Sequence, residues 1–198
     1  MNTKAIITSG IVSLVLVSAG AVAETQRFNA TVKVTNSFEF DKENDLVFGT
    51  IRAKADTAAD KVATLVMPAN PNIEPEAKSD GAAVIAIMNG DSNPASFKIT
   101  GLPEYASLNI TNPTETDLVL PGTESTAAKF LLSNFTYYVT QGAPTGDVTG
   151  STIKADAQGN ISFNLGATLT TSSNTADGTT SDYTDGDYSG TFSVQVNY

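Results

Sequence analysis

Gly186-Asp-Tyr188-Ser-Gly190-Thr-Phe192-Ser-Val194-Gln-Val196-Asn-Tyr198 alternates apolar and polar residues through its whole length. Successive side chains of a β-strand point to opposite faces, so Tyr188, Phe192, Val194, Val196 and Tyr198 share one side of one uninterrupted strand. An apolar strand at a chain terminus has to be tied into a sheet, because an unsecured end frays. The run therefore predicts a β fold that secures its own final residues, with Gly186 at the entry to this C-terminal edge strand.

The same alternation recurs upstream. Ile161-Ser-Phe163-Asn-Leu165-Gly-Ala167-Thr-Leu169 follows the turn Gly159-Asn160, and Phe28-Asn-Ala30-Thr-Val32-Lys-Val34 reads as a half-buried strand near the other end. Between them lie Phe38-Glu-Phe40, Leu46-Val-Phe48-Gly-Thr-Ile51, Val62 to Met67, Phe97-Lys-Ile99, Leu108-Asn-Ile110, Leu118-Val-Leu120 and Phe130 to Val139. Ala83-Val-Ile-Ala-Ile-Met88 is apolar throughout, which suits a central strand buried on both faces. The alanine-rich, charged stretch Arg52 to Asp60 is open between a short helix and a polar loop. Polar Thr170 to Gly186 reads as a flexible loop. Strands at spacings of roughly 8 to 15 residues, punctuated by Gly, Pro and Asn, predict an all-β chain. The architecture expected is a single immunoglobulin-like or pilin-like β-sandwich of roughly 9–11 antiparallel strands.

Met1 to Ala23 has the layout of a secretory signal peptide. Lys4 is the basic residue, Ala5 to Gly20 the apolar stretch, and Ala21-Val22-Ala23 the small-residue cleavage site. Ser9, Gly10, Ser13, Ser18 and Gly20 interrupt a segment already short for a membrane span, and no later segment reaches that length. Residues 24–198 then form one domain, exported through the inner membrane of a Gram-negative bacterium to the periplasm, cell surface or medium.

Formal net charge is −10, and loss of Lys4 with the leader makes the remainder more negative still. A field of that sign repels nucleic acid and anionic lipid. The chain has no cysteine and no histidine. Packing and strand pairing must supply stability without disulfides, and the Ser-His and Cys-His nucleophile pairs and common zinc sites are excluded. Carboxylate pairs remain for glycoside hydrolysis, but tryptophan is absent too, so the usual aromatic sugar platform is missing. A non-catalytic protein without a cofactor is expected.

The best metal candidates are Asp182, Asp185 and Asp187, because calcium needs several oxygens converging on one loop. Their spacing is not that of an EF-hand, and a solvated, glycine-punctuated loop that keeps a sheet end soluble is the better explanation, so no metal is expected. In Tyr137-Tyr138 the two rings face opposite ways, one for the core and one half exposed. The two terminal strands carry a different signal. The chain can pair them and close its own sandwich, or lend Phe28, Ala30, Val32 and Val34 to a neighbour, main-chain hydrogen bonds giving affinity and alternate side chains filling pockets.

Leu46-Val-Phe48-Gly49-Thr-Ile51, Phe97-Lys-Ile99-Thr-Gly101, Leu108-Asn-Ile110-Thr, Leu165-Gly166-Ala-Thr-Leu169 and the closing Gly186 to Tyr198 block together resemble a family of proteobacterial exported proteins described only as a domain of unknown function. The closing block is also similar to the C-terminal strand of chaperone-usher fimbrial subunits, where a glycine and a near-terminal tyrosine bracket alternating apolar residues. Here the tyrosine is last rather than next to last, and the disulfide common in such pilins is missing. The resemblance implies a surface structural or adhesive subunit that self-associates into a fibre by strand donation. It also implies a periplasmic chaperone that recognises Phe192, Val194, Val196 and Tyr198. The alternative is a self-contained periplasmic or secreted module binding a glycan or calcium.

Overall fold

The computed structural model describes residues 25–34 and 37–198 of the 198-residue chain. Met1–Ala23, where a secretory leader is expected, lies outside those residues. The chain separates into two units, Met1–Thr35 and Asn36–Tyr198. In the first, residues 25–34 form neither helix nor strand. Phe28, Val32 and Val34 are 91%, 87% and 72% exposed, which corrects the expectation of a half-buried strand there. Alternation marks a segment able to pair; an edge must still receive it before a strand exists.

The second unit is almost entirely antiparallel β-structure. In chain order its elements are β1 (Glu39–Asn44), β2 (Thr50–Lys54), β3 (Thr64–Met67), β4 (Glu76–Lys78), β5 (Val84–Asn89), β6 (Ala95–Thr100), β7 (Ser107–Thr111), β8 (Thr116–Leu118), β9 (Phe130–Gln141), β10 (Gly146–Asp147), β11 (Thr152–Lys154), β12 (Ile161–Thr171), α1 (Asn174–Asp177) and β13 (Gln195–Asn197). The sandwich read from the sequence is present. Its strands outnumber the roughly 9–11 expected because two- and three-residue fragments such as β10 and β8 pair only at the margins.

β12 is the spine of the larger sheet. It pairs with β9 along one side and with β6 and β3 in series along the other; β1 lies outside β6, β4 outside β3, and β8 and β10 outside β9. The alternation of Ile161 to Leu169 is realised directly, with Ile161, Phe163, Leu165, Ala167 and Leu169 all buried. Phe163 stacks on Phe97 of β6 with ring centroids 5.2 Å apart. Gly166 lets the β3 exit cross close to β12: a Cβ there would lie 2.2 Å from the Met67 carbonyl oxygen.

Two smaller sheets cover that face. The sheet β11-β7-β13 packs on one core cluster, which includes Phe97, Leu108, Ile110, Ile153 and Phe163. The pair β2-β5 packs on the other, which includes Leu65, Ile85, Phe130, Leu132 and Leu169. Leu46, Phe135 and Phe192 touch both clusters and join the two halves.

Several expectations are corrected. Ala83 to Met88 is not a central strand: β5 ladders only with β2, and Met88 is 61% exposed. An apolar run cannot tell a doubly buried strand from one at a layer margin, where only Ala83 and Ile85 reach the core. Arg52 to Asp60, open between a helix and a polar loop, takes the second form once β2 ends: the loop is held by Asp56, whose carboxylate accepts the N–H groups of Ala58, Ala59 and Lys61. The polar stretch from Thr170 is a built structure rather than a flexible loop. Thr171, Ser172, Ser173 and Thr179 are buried. The Thr171 hydroxyl accepts from Ala63 N–H at 2.8 Å, and the Ser172 hydroxyl accepts from Lys129 N–H at 3.0 Å. Tyr183 closes this corner: its hydroxyl accepts from Ser172 N–H and donates to the Lys129 carbonyl, while its ring stacks 4.3 Å from Phe130. Burial pushes the Tyr183 phenol well above its ordinary pKa.

Candidate functional site: an unpaired seam between two apolar edges

The run from Phe38 to Lys54 crosses both halves of the sandwich. Its first part pairs with β6 as β1 and its last part with β5 as β2. The side of β5 away from β2 faces β4, where the Ser79 hydroxyl accepts from Ile85 N–H. Among the described residues the outer edge of β2 is thus unpaired, as is that of β1.

The run from Gly186 to Tyr198 also crosses both halves, antiparallel to Ser107–Leu120. Gln195, Val196 and Asn197 pair with Thr111, Ile110 and Asn109, and Ser189 exchanges two 3.0 Å backbone hydrogen bonds with Val119. Between these points the expected continuous strand loses its ladder. No backbone hydrogen bond is made by Gly190 to Val194 among the described residues. The partner run is the cause. Pro113 has no N–H to give, and Gly190 is pressed so close to β8 that a Cβ would lie 2.6 Å from the Asp117 carbonyl oxygen. The side-chain reading nevertheless holds, since Tyr188, Phe192, Val194 and Val196 alternate as half-buried residues with exposed neighbours. Phe192 tilts against Phe135 with ring centroids 5.5 Å apart. Gly186 lies under the Leu120 side chain.

These two runs meet at their ends. Phe38 contacts Tyr198 edge-on, with centroids 5.8 Å apart, and the Asp182 carboxylate accepts the Ala55 N–H at 2.8 Å. Among the described residues no hydrogen bond joins them in between. The result is a long seam with antiparallel lips. Leu46, Phe48, Ile51 and Ala53 project toward the core from one lip, and Tyr188, Phe192, Val194 and Val196 from the other. All eight remain half-exposed.

The backbone of the second lip faces outward. Ile110 donates its N–H to Ser151 on the β11 side, so the alternate residues Asn109 and Thr111 face β13. Their partners Asn197 and Gln195 use their polar groups toward β7. Val196 therefore points its N–H and C=O away from β7, into the seam, and by alternation Val194 does the same. An apolar, unpaired edge of this kind is a template for another strand. The edge at β4 contrasts with it, being three residues long, charged and fully exposed.

The metal candidates do not converge. Asp182 spends one carboxylate oxygen on the N–H groups of Ala55 and Tyr183, Asp185 and Asp187 are exposed, and no group of three potential ligands occurs among the described residues. Tyr137 is buried and Tyr138 half-buried, as the alternation requires. Two shallow depressions flank β9, one lined by Asn112, Phe135, Tyr137 and Val148, the other by Ser107, Pro144, Thr152 and Lys154. The first lip was not foreseen as part of a site. Its one sequence signal was the Leu46-Val-Phe48-Gly-Thr-Ile51 block, which carries more apolar residues than a strand paired on both sides would need to expose.

The fold is an all-β sandwich with a seam between two apolar edges. The chain belongs to the family described as Domain of unknown function (DUF4402), whose model matches residues 38–198. That match begins at Phe38, so it contains both lips and leaves out residues 25–34. No curated protein and no solved structure matches the chain.

Proposed function

We propose that this protein is an exported, non-catalytic surface subunit that self-associates by strand donation. In this reading Phe28, Ala30, Val32 and Val34 of one copy enter the seam of the next. One observation carries the reading: a seam lined on both lips by half-exposed apolar side chains, in a chain that also holds an exposed segment with matching alternation and no strand of its own. An inserted strand would cover the lips and take up the outward N–H and C=O groups of Val194 and Val196, the arrangement of β-augmentation. Because the lips are antiparallel, it would run parallel to one and antiparallel to the other. Until assembly, a periplasmic chaperone would shield the same edge, at Phe192, Val194, Val196 and Tyr198.

Deleting residues 25–34 tests this. Electron microscopy and unboiled denaturing gels of a sheared surface fraction should show fibres and a ladder of oligomers for the full chain and only monomer for the deletion. A ladder that survives the deletion, or a full-length protein that stays monomeric at high concentration, rejects the proposal.

A further inference from the structure

We infer that uptake of the Thr25–Val34 segment of a second copy is guided by charge as well as by apolar fit; this rests on the strand-donation reading above. If Phe28, Ala30, Val32 and Val34 face inward, alternation puts Arg27, Asn29, Thr31 and Lys33 on the outer face. The segment thus carries two cations and no acid on the side that meets the rims of the seam.

Those rims are acidic. Inward Phe38 and Phe40 leave Glu39 and Asp41 on the outer face of β1, and Glu43 follows, all exposed. Asp185 and Asp187 are exposed along the opposite lip. The cations of the rims offset only part of this. Lys42 is taken by Asp45, Lys98 stands opposite Asp41 across the β1–β6 ladder, and Arg52 and Lys54 sit on β2 near the Asp182 end. Carboxylates therefore outnumber free cations, most of all at the β1 end. Asp185 and Asp187, two of the three aspartates that resembled a metal loop in the sequence, become, with Glu39 and Glu43, the counter-charge for Arg27 and Lys33. Solvent-exposed pairs of this kind are individually weak and are screened by salt, so the effect belongs to the set and is sensitive to ionic strength.

The test titrates the full chain with a fluorescent peptide of residues 25–34, at about 0.05 M and about 0.5 M salt. A second peptide carries R27Q and K33Q. Binding of the native peptide that weakens about tenfold with salt or with the neutral peptide, and likewise in an E39Q/E43Q/D185N/D187N protein, is the result expected. Binding that none of these changes alters overturns the charge inference and leaves the seam as a strand acceptor. Failure of both peptides to bind at either salt overturns the acceptor reading and this inference together.

Discussion

The ring of Phe38 meets that of Tyr198 edge-on at 71°, joining the start of one seam lip to the end of the other. Phe38 also packs on the core cluster beneath β1, whereas Tyr198 is half exposed. The contact therefore acts as a clasp at one end of an otherwise unpaired seam. Aromatic pairs of this geometry contribute about 1 kcal/mol beyond the area they bury. Tyr198→Ala should lower unfolding stability by about that amount, and a double-mutant cycle with Phe38→Ala should recover a coupling of similar size. Additivity of the two substitutions would show that the clasp carries no energy of its own.

Gly166 is a position where added volume should be costly. A methyl group there would overlap the Met67 carbonyl, the Ala69 amide and the Pro68 carbonyl carbon, all backbone atoms that cannot swing aside. Gly166→Ala should cost about 3 kcal/mol, the upper part of the range for overpacking, and should loosen the β12-β3 ladder. Chemical denaturation measures the first effect and amide exchange at Leu65 to Met67 the second.

Tyr137 carries a buried hydroxyl with no hydrogen-bond partner among the described residues. Burial pushes its pKa from 10.0 up to about 12. Tyr137→Phe should thus raise stability by about 1 kcal/mol, since an unpartnered polar group is removed and the ring kept. The folded value lies above the unfolded one, so the wild type is fully stabilised below pH 10 and loses stability as pH rises from 10 toward about 12. Melting curves of the variant should show a smaller loss across that window.

Acid should act in the opposite sense through Asp56 and Asp156. Asp56 is held below its ordinary value of 3.8 chiefly by the Ala58 N–H, with those of Ala59 and Lys61 adding to it against the opposing effect of burial. Asp156 is lowered chiefly by the Asn160 N–H and then by the Gln141 amide. Depressed folded values mean stability that is complete above 3.8 and lost as pH falls through the lower folded values. The melting temperature should fall steeply below about pH 4. Asp56→Asn and Asp156→Asn should lower it at neutral pH and flatten that acid limb; an unchanged limb would assign acid lability to other carboxylates.

Amide exchange should divide the Gly186–Tyr198 run. Gln195 and Asn197, whose amides point into the β7 ladder, should be protected, and Gly190 to Val194 should exchange rapidly. Filling of the seam by a strand should then protect Val194 and Val196, whose amides point outward. Protection at Val194 already present in the isolated monomer would show that the edge is satisfied within the chain.

Much of this was written in the alternation. Ile161 to Leu169 announced one of the two longest strands, because period-two patterning over nine residues points to a half-buried strand. Phe130 to Val139 was legible only as an apolar run, its alternation being broken where Asn134 takes a positive φ. The face of Tyr188, Phe192, Val194 and Val196 was legible for the same reason as Ile161 to Leu169. Their hydrogen bonding was not, because the ladder depends on Pro113 and Asp117, far away in sequence. Ala83 to Met88 misled because composition records apolarity and not position within a layer. The buried polar corner around Thr171, Ser172 and Tyr183 was hidden too: serine and threonine read as loop until the backbone groups they satisfy are known. Phe28 to Val34 shows the deepest limit, since alternation states which side chains would face inward but not whose sheet receives them.

Phe192 sits near the end of the described chain yet touches both core clusters, and Val194 and Val196 complete the lip beside it. Synthesis runs from the N-terminus, so every other strand of the sandwich exists before these residues do. Until they emerge, Phe135 lacks the ring that tilts against it and β7 has one edge without β13. Without Phe192 the two halves of the core lack one of the three residues that join them, so the two clusters lock to each other only when this segment docks.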